Sequence, residues 1–214
     1  MSVMQQKLLA SGGALDQLAR LDPDIARARE RFGAPPDRSL PASFETLARA
    51  VIGQQISRAA ASAIWTRMQD HNSASATSIA NMTADQLMLL GLSRRKAEYL
   101  IGIADELNSG RLDLGALAKL DGDQVQARLV QIRGIGAWTA DNFRLFALGD
   151  MDAWPFNDLA LQEGMKRLKN LPKRPNGKAM IELGDGWRPF RGAGALMLWH
   201  IYGILVRQAT VDEI

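Results

Sequence analysis

The sequence predicts an all-α fold, and three observations carry that reading. Apolar residues recur at three- and four-residue spacing nearly throughout. Alternating strand patterns with tight hairpin turns are missing. Residues that cap helices (Ser, Thr or Asp) stand just ahead of most apolar-periodic runs.

The elements follow in order. Asp22-Pro23 opens a helix that runs to Arg31-Phe32, with Gly33 as its stop. Ser43 caps a helix carrying Phe44, Leu47, Ala50 and Val51 on one face, and Gly53-Gln54 interrupts it. Ser57 caps the next, from Arg58 to about Met68. Thr83 and Gln86 have capping-box spacing, as do Asp121 and Gln124. Ser93 opens a helix that ends near Asn108-Ser109-Gly110. Asn176-Gly177, inside the basic KRPNGK, reads as a loop. Repeats, low-complexity tracts and long linkers are missing. A chain of 214 residues holds one sizeable core or two small lobes.

Composition excludes several chemistries. Without cysteine there is no disulfide, cysteine nucleophile, thiolate zinc site or iron–sulfur cluster. With two histidines a histidine-rich metal site is improbable; His71 reads as a solvated loop residue and His200 as a core histidine. No apolar run has the length of a membrane span, and the N-terminus lacks the basic start and apolar centre of a secretory signal. The expected location is cytoplasmic. The net charge of +3 permits nucleic acid as a partner without proving it. Basic residues cluster at Arg94-Arg95-Lys96, from Lys166 to Lys178, and at Arg188 with Arg191. Each cluster is either a solvated face or a set of phosphate contacts.

The most informative stretch is LVQIRGIGAWTADNFRLFALG, residues 129–149. An amphipathic helix runs into Gly134-Ile135-Gly136, and a second helix begins at about Ala137. Two glycines one residue apart let the backbone turn sharply and approach another molecule. Amides there, with the positive end of the helix dipole, suit an anionic oxygen and would grip a DNA phosphate without reading sequence. From Gly-x-Gly alone a plain turn between helices is the better account, and only the wider pattern shifts the weight.

The wider pattern adds a resemblance. LVQIRGIGAWTA is similar to the helix–hairpin–helix of the DNA base-excision glycosylase superfamily, in which a Gly/Pro-rich loop and an aspartate follow the hairpin. DAWPFNDLALQEG (152–164) matches that loop. FETLARAVIGQQIS (44–57), GLSRRKAEYL (91–100) and GWRPFRGAGALMLWHIYG (186–203) resemble the 3-methyladenine DNA glycosylase II branch. The likeness covers about residues 40 to 205 in order. It implies a single catalytic domain over 1–214 of two helical lobes with a cleft between them. The central lobe spans about 57–143, and 1–56 with 144–214 form the other.

The resemblance also implies a chemistry. Asp158 falls on the family's catalytic aspartate, where an ionised carboxylate stabilises an oxocarbenium-like transition state; a structural N-cap is the competing role. Trp138 and Trp187 match aromatics of the base pocket. A cationic alkylated purine over an indole face gains roughly 0.5 to 2 kcal/mol. Gln55 matches a side chain inserted into the gap left by a flipped base. Gln54, Gln55, Gly134, Gly136, Thr139, Arg188 and Arg191 form the expected DNA-contacting set. Relatives that also cut the backbone carry a lysine where this chain has Trp138, and no lysine lies between Lys119 and Lys166. The expectation is a monofunctional glycosylase releasing alkylated bases of the 3-methyladenine and 7-methylguanine type. It would act as a monomer on double-stranded DNA and require no cofactor. The family often holds a structural cation on hairpin carbonyls, here those of Val130, Ile132 and Ile135. The alternatives are a non-catalytic helix–hairpin–helix DNA-binding protein and a glycosylase for deaminated bases.

Overall fold

The computed structural model describes residues 2 and 4–207, and among them every regular element is a helix. The chain divides into two compact units. An outer unit comprises Met1–Ser39 and Arg144–Ile214, and an inner unit comprises Leu40–Phe143.

In the outer unit, a π-helical turn, Gln5–Leu9, precedes α1 (Ala14–Leu21) and α2 (Pro23–Phe32). Helix α2 starts where Asp22-Pro23 places it: the Asp22 carboxylate accepts from the Asp24 amide, and Gly33 ends it at φ 76°. The inner unit holds α3 (Phe44–Ile52), α4 (Arg58–Asp70), α5 (Ala76–Ala80), α6 (Ala84–Leu89), α7 (Arg94–Asn108), α8 (Leu114–Leu117) and α9 (Gly122–Val130). Helix α10 (Ala137–Leu148) crosses the unit boundary. The inner unit begins at Leu40 and not near residue 57, because α3 packs on α7 and buries Leu47, Ala48, Val51 and Ile52. Both capping boxes form, at Thr83/Gln86 and Asp121/Gln124.

The outer unit is completed by α11 (Leu159–Leu168), α12 (Gly177–Asp185) and α13 (Arg191–Tyr202). The loop expected at KRPNGK is half right. Asn176 accepts from the Ala179 amide at 2.9 Å and caps α12, so a turn-like Asn-Gly pair here starts a helix. Nine consecutive or near-consecutive residues of α13 are buried, from Arg191 to Leu198 and again at Ile201. A helix apolar on nearly all sides belongs at the centre. Its run Gly192-Ala193-Gly194-Ala195 lets neighbours approach closely: a Cβ at Gly194 would collide with the Trp187 ring. A Cβ at Gly164 of α11 would collide with the Leu198 carbonyl, so α11 and α13 meet almost backbone to backbone.

A polar knot fastens the N-terminal helices to this core. Lys169, the C-cap of α11, donates to Asp22 Oδ2 at 2.6 Å and to Asp24 Oδ2 at 2.8 Å. The indole of Trp187 donates to the same Asp22 oxygen at 2.6 Å. Burial pushes the Asp22 carboxyl up, but hydrogen bonds from Lys169, Trp187 and the Asp24 amide outweigh it and hold it below the ordinary value. Burial pulls the Lys169 ammonium down, and its bonds to Asp22 and Asp24 outweigh that and raise it.

Three outcomes follow. Gly164→Val should lower stability by about 3 kcal/mol, read as a melting temperature some 6–12 °C lower. Gly102→Ala, in the interior of α7 where a Cβ meets nothing within 4 Å, should be neutral or slightly stabilising. For the knot, a lowered Asp22 contributes stability above the usual carboxylate range, lost as pH falls through its folded value. A raised Lys169 contributes below the usual lysine range, lost as pH rises through its folded value. Lys169→Met should therefore cost about 1–3 kcal/mol near pH 7, with the difference from wild type shrinking below roughly pH 4. Urea denaturation across pH measures it.

Candidate active site

The loop Asp152–Asn157 ends in a tight turn, in which the Asp158 amide donates to the Pro155 carbonyl at 2.9 Å. That turn delivers Asp158 as the N-cap of α11, with extended backbone at φ −70° and ψ 123°. Its Oδ1 accepts from the Leu161 amide at 2.9 Å, which is the capping bond. The same oxygen accepts from the indole Nε1 of Trp199 at 3.0 Å. Trp199 stands in the last turn of α13 and stacks on Phe146 of α10, with ring centroids 5.5 Å apart and planes 26° apart. All three side chains are half-buried and belong to the outer unit. A carboxylate flanked by partly open aromatic rings therefore results from the close α11–α13 packing at Gly164.

Trp199 is the residue that sequence reasoning missed. It sits 41 positions from Asp158 in an apolar run, LMLWHIY, that reads as core. The nearby WRPFR segment drew the assignment to Trp187 instead. That assignment is corrected: Trp187 is only 3% exposed, bonded to Asp22, backed by Gly194 and set edge-on to Trp154 with centroids 5.7 Å apart. It has no face open to a base. Trp138, by contrast, is 41% exposed in the first turn of α10, within the inner unit.

The expected DNA-contacting residues separate into two groups. Arg191 and Thr139 are corrected to structural roles. The Arg191 guanidinium is buried and grips Asp152 with both arms, at 2.8 Å to Oδ1 and 2.6 Å to Oδ2. A guanidinium so placed satisfies the half-buried Asp152 carboxylate through Nε and Nη2 and is committed to a structural pair. Thr139 is buried, and its hydroxyl accepts from Gln54 Nε2 at 3.4 Å. Gln54 also donates to the Gly134 carbonyl at 3.1 Å, so its side chain braces the hairpin from within the inner unit.

The second group stays at the surface. Gln55 is exposed and left-handed at φ 59°. That conformation costs a non-glycine residue of order 1–3 kcal/mol and clusters at functional sites. Gly134 needs its glycine twice, for φ 98° and because a Cβ would collide with the Tyr99 ring; Gly136 has open space around it. Arg188 is half exposed and pairs with Asp152 at 2.9 Å and Asp185 at 3.2 Å.

Of the basic clusters, Lys96 turns inward, donating to the carbonyls of Ile52 at 2.7 Å and Gln54 at 2.6 Å. Burial, with Arg95 beside it, pulls its ammonium below the usual lysine value. Lys166 and Arg167 face Glu163 on α11. Of the hairpin carbonyls, that of Ile132 accepts from the Ile135 amide at 3.0 Å, closing the turn. No group of three or more His, Asp or Glu side chains suited to a metal occurs among the described residues.

Comparison with known proteins fits this geometry. Residues 48–189 match the family model described as HhH-GPD superfamily base excision DNA repair protein. DNA-3-methyladenine glycosylase 1 of Schizosaccharomyces pombe is 34% identical over 171 residues, covering 77% of this chain and 75% of that protein. A DNA-3-methyladenine glycosylase of Bacillus subtilis is 27% identical over 198 residues, and the match takes in 86% of this chain but 65% of the relative's length. Among solved structures, the Schizosaccharomyces pombe 3-methyladenine DNA glycosylase in complex with abasic DNA superposes with a TM-score of 0.77 at 32% identity, over 87% of this chain and 94% of that one. The chain belongs to the HhH-GPD superfamily of base excision DNA repair proteins.

Proposed function

We propose that this protein is a DNA glycosylase that removes alkylated bases, acts without a lyase step, and uses Asp158 as its catalytic carboxylate. The single observation that carries the reading is the Asp158–Trp199 pair: a half-buried carboxylate oriented by an amide and an indole, beside stacked aromatic rings. The names of the relatives support the substrate class.

The chemistry follows from those groups. A purine alkylated at N3 or N7 already carries positive charge, so its bond to C1′ breaks with the electron pair leaving on the base. Positive charge then develops on the sugar, and the nearby carboxylate stabilises it. Water adds to C1′ and loses its proton, which leaves an abasic site. The faces of Trp199 and Phe146 favour a cationic base over a neutral one, and the exposed indole of Trp138 offers a further contact with the DNA. Gln55, already turned outward, is the wedge that fills the vacated stack. The backbone of the Gly134–Gly136 hairpin receives a phosphate, and the half-exposed Arg188 offers a separate contact with the DNA. With Trp138 where bifunctional relatives carry lysine, the hairpin position itself offers no amine to form a Schiff base.

A cation at the hairpin would be held by the carbonyls of Val130, Ile132 and Ile135, hard oxygen donors of the kind alkali and alkaline-earth ions take. The Ile132 oxygen keeps a second lone pair after its turn bond. Such an ion would supply positive charge toward a phosphate and take no part in bond cleavage. The protein is proposed to act as a monomer, and no described helix is long and apolar enough to cross a membrane.

Methylated duplex DNA tests the reading. Wild type should release 3-methyladenine or 7-methylguanine, with strand breaks appearing only after alkali. Asp158→Asn should slow release by roughly 10²–10³-fold while still binding an abasic duplex. Release by Asp158→Asn at the wild-type rate would remove Asp158 from the chemistry, and binding without release by either would favour a non-catalytic binding protein. Trp199→Phe keeps a ring but deletes the donor to Asp158. We expect it to slow excision by about 10-fold with DNA affinity unchanged, measured in single-turnover assays.

A further inference from the structure

The basic cluster Arg94-Arg95-Lys96 invites a phosphate-binding role, yet its third member points elsewhere. Lys96 lies in the first turn of α7 and sends its ammonium to two backbone carbonyls, Ile52 at 2.7 Å and Gln54 at 2.6 Å. Ile52 is the last residue of α3, whose C-terminal carbonyls carry partial negative charge. Gln54 immediately precedes the exposed, left-handed Gln55. The Gln54 side chain reaches the other way, to the Gly134 carbonyl and the Thr139 hydroxyl of the hairpin. Every one of these residues belongs to the inner unit.

From this arrangement we infer that Lys96 is the positioning residue for the Gln55 wedge: its ammonium ties down two of the peptides that lead into Gln55 and holds it in its outward, left-handed turn. The physical argument is one of satisfaction and strain. The bend leaves two carbonyls turned inward with no helix to receive them, and a buried acceptor without a donor is costly. A single ammonium with three donors serves both, where an apolar side chain would serve neither. Left-handed backbone at a glutamine persists only while its surroundings over-determine it. Lys96 from one side and the Gln54–hairpin bonds from the other supply that determination. The inference rests on the wedge reading of Gln55 proposed above.

The test is a double-mutant cycle in single-turnover excision from methylated duplex, using wild type, Lys96→Met, Gln55→Ala and the double variant. Lys96→Met should slow excision by about 10-fold, keep abasic-duplex affinity and its salt dependence within about two-fold, and have no further effect in the Gln55→Ala background. The fluorescence change of 2-aminopurine beside the lesion, which reports insertion into the stack, should be lost in Lys96→Met as it is in Gln55→Ala. An equal loss in the Gln55→Ala background would overturn the inference. So would a shallower salt dependence of binding, which would mark Lys96 as a phosphate contact. If Gln55→Ala is slow but Lys96→Met is not, the inference alone fails. If Gln55→Ala excises at the wild-type rate, the wedge reading fails and takes the inference with it. Should Lys96→Met not fold, Lys96→Arg keeps the charge on a flat guanidinium and is expected to give a partial loss, again absent beside Gln55→Ala. An undiminished loss there overturns the inference equally.

Discussion

The close approach of α11 to α13 is the constraint on which the candidate site depends. Gly164 has no side chain because the Leu198 carbonyl occupies the place a Cβ would take. That contact sets the N-terminus of α11, with Asp158, against the last turn of α13, with Trp199, and the 3.0 Å hydrogen bond between them is its product. The small residues of α13 do the same for its other neighbours, letting Trp187 and the Asp150–Met151 segment pack onto backbone. The candidate site sits at the end of a tightly packed helix pair.

Two charged clusters of the outer unit are paired along the same logic. Arg191 with Asp152, and Lys169 with Asp22, Asp24 and Trp187, are knots that a core needs once charges enter it. Of these side chains, Trp187 and Arg191 were expected, from the family resemblance, to meet a base and DNA rather than serve the core. Burial distinguishes the two cases, and burial is a property of the fold.

Most of the fold was legible because local rules decide it. Asp22-Pro23, Ser43, Ser57, Thr83, Ser93 and Asp121 each cap the helix that their spacing announces, and Asp158 caps α11. Short helices such as α5 and α8 escaped notice, for they span too few residues to show a period. Asn176 escaped for another reason: asparagine serves turns and caps alike, and only the helix after it decides. Among the candidate residues, the hairpin glycines and the capping position of Asp158 were legible from motif and spacing. Trp199 did not, because its partner lies 41 residues away in the chain and only tertiary packing unites them. Lys96 was visible as charge, but its inward direction was not.

Trp199 has a consequence for how such an enzyme can change. One side chain supplies both the donor that orients Asp158 and an aromatic face beside it. Alterations that widen or reshape that wall also remove one of the donors to Asp158 and leave the Leu161 amide, so on the proposed reading breadth of substrate and speed of reaction are coupled at this position. On that reading, a change of substrate preference that spares the rate has to come from residues that line the site without touching Asp158.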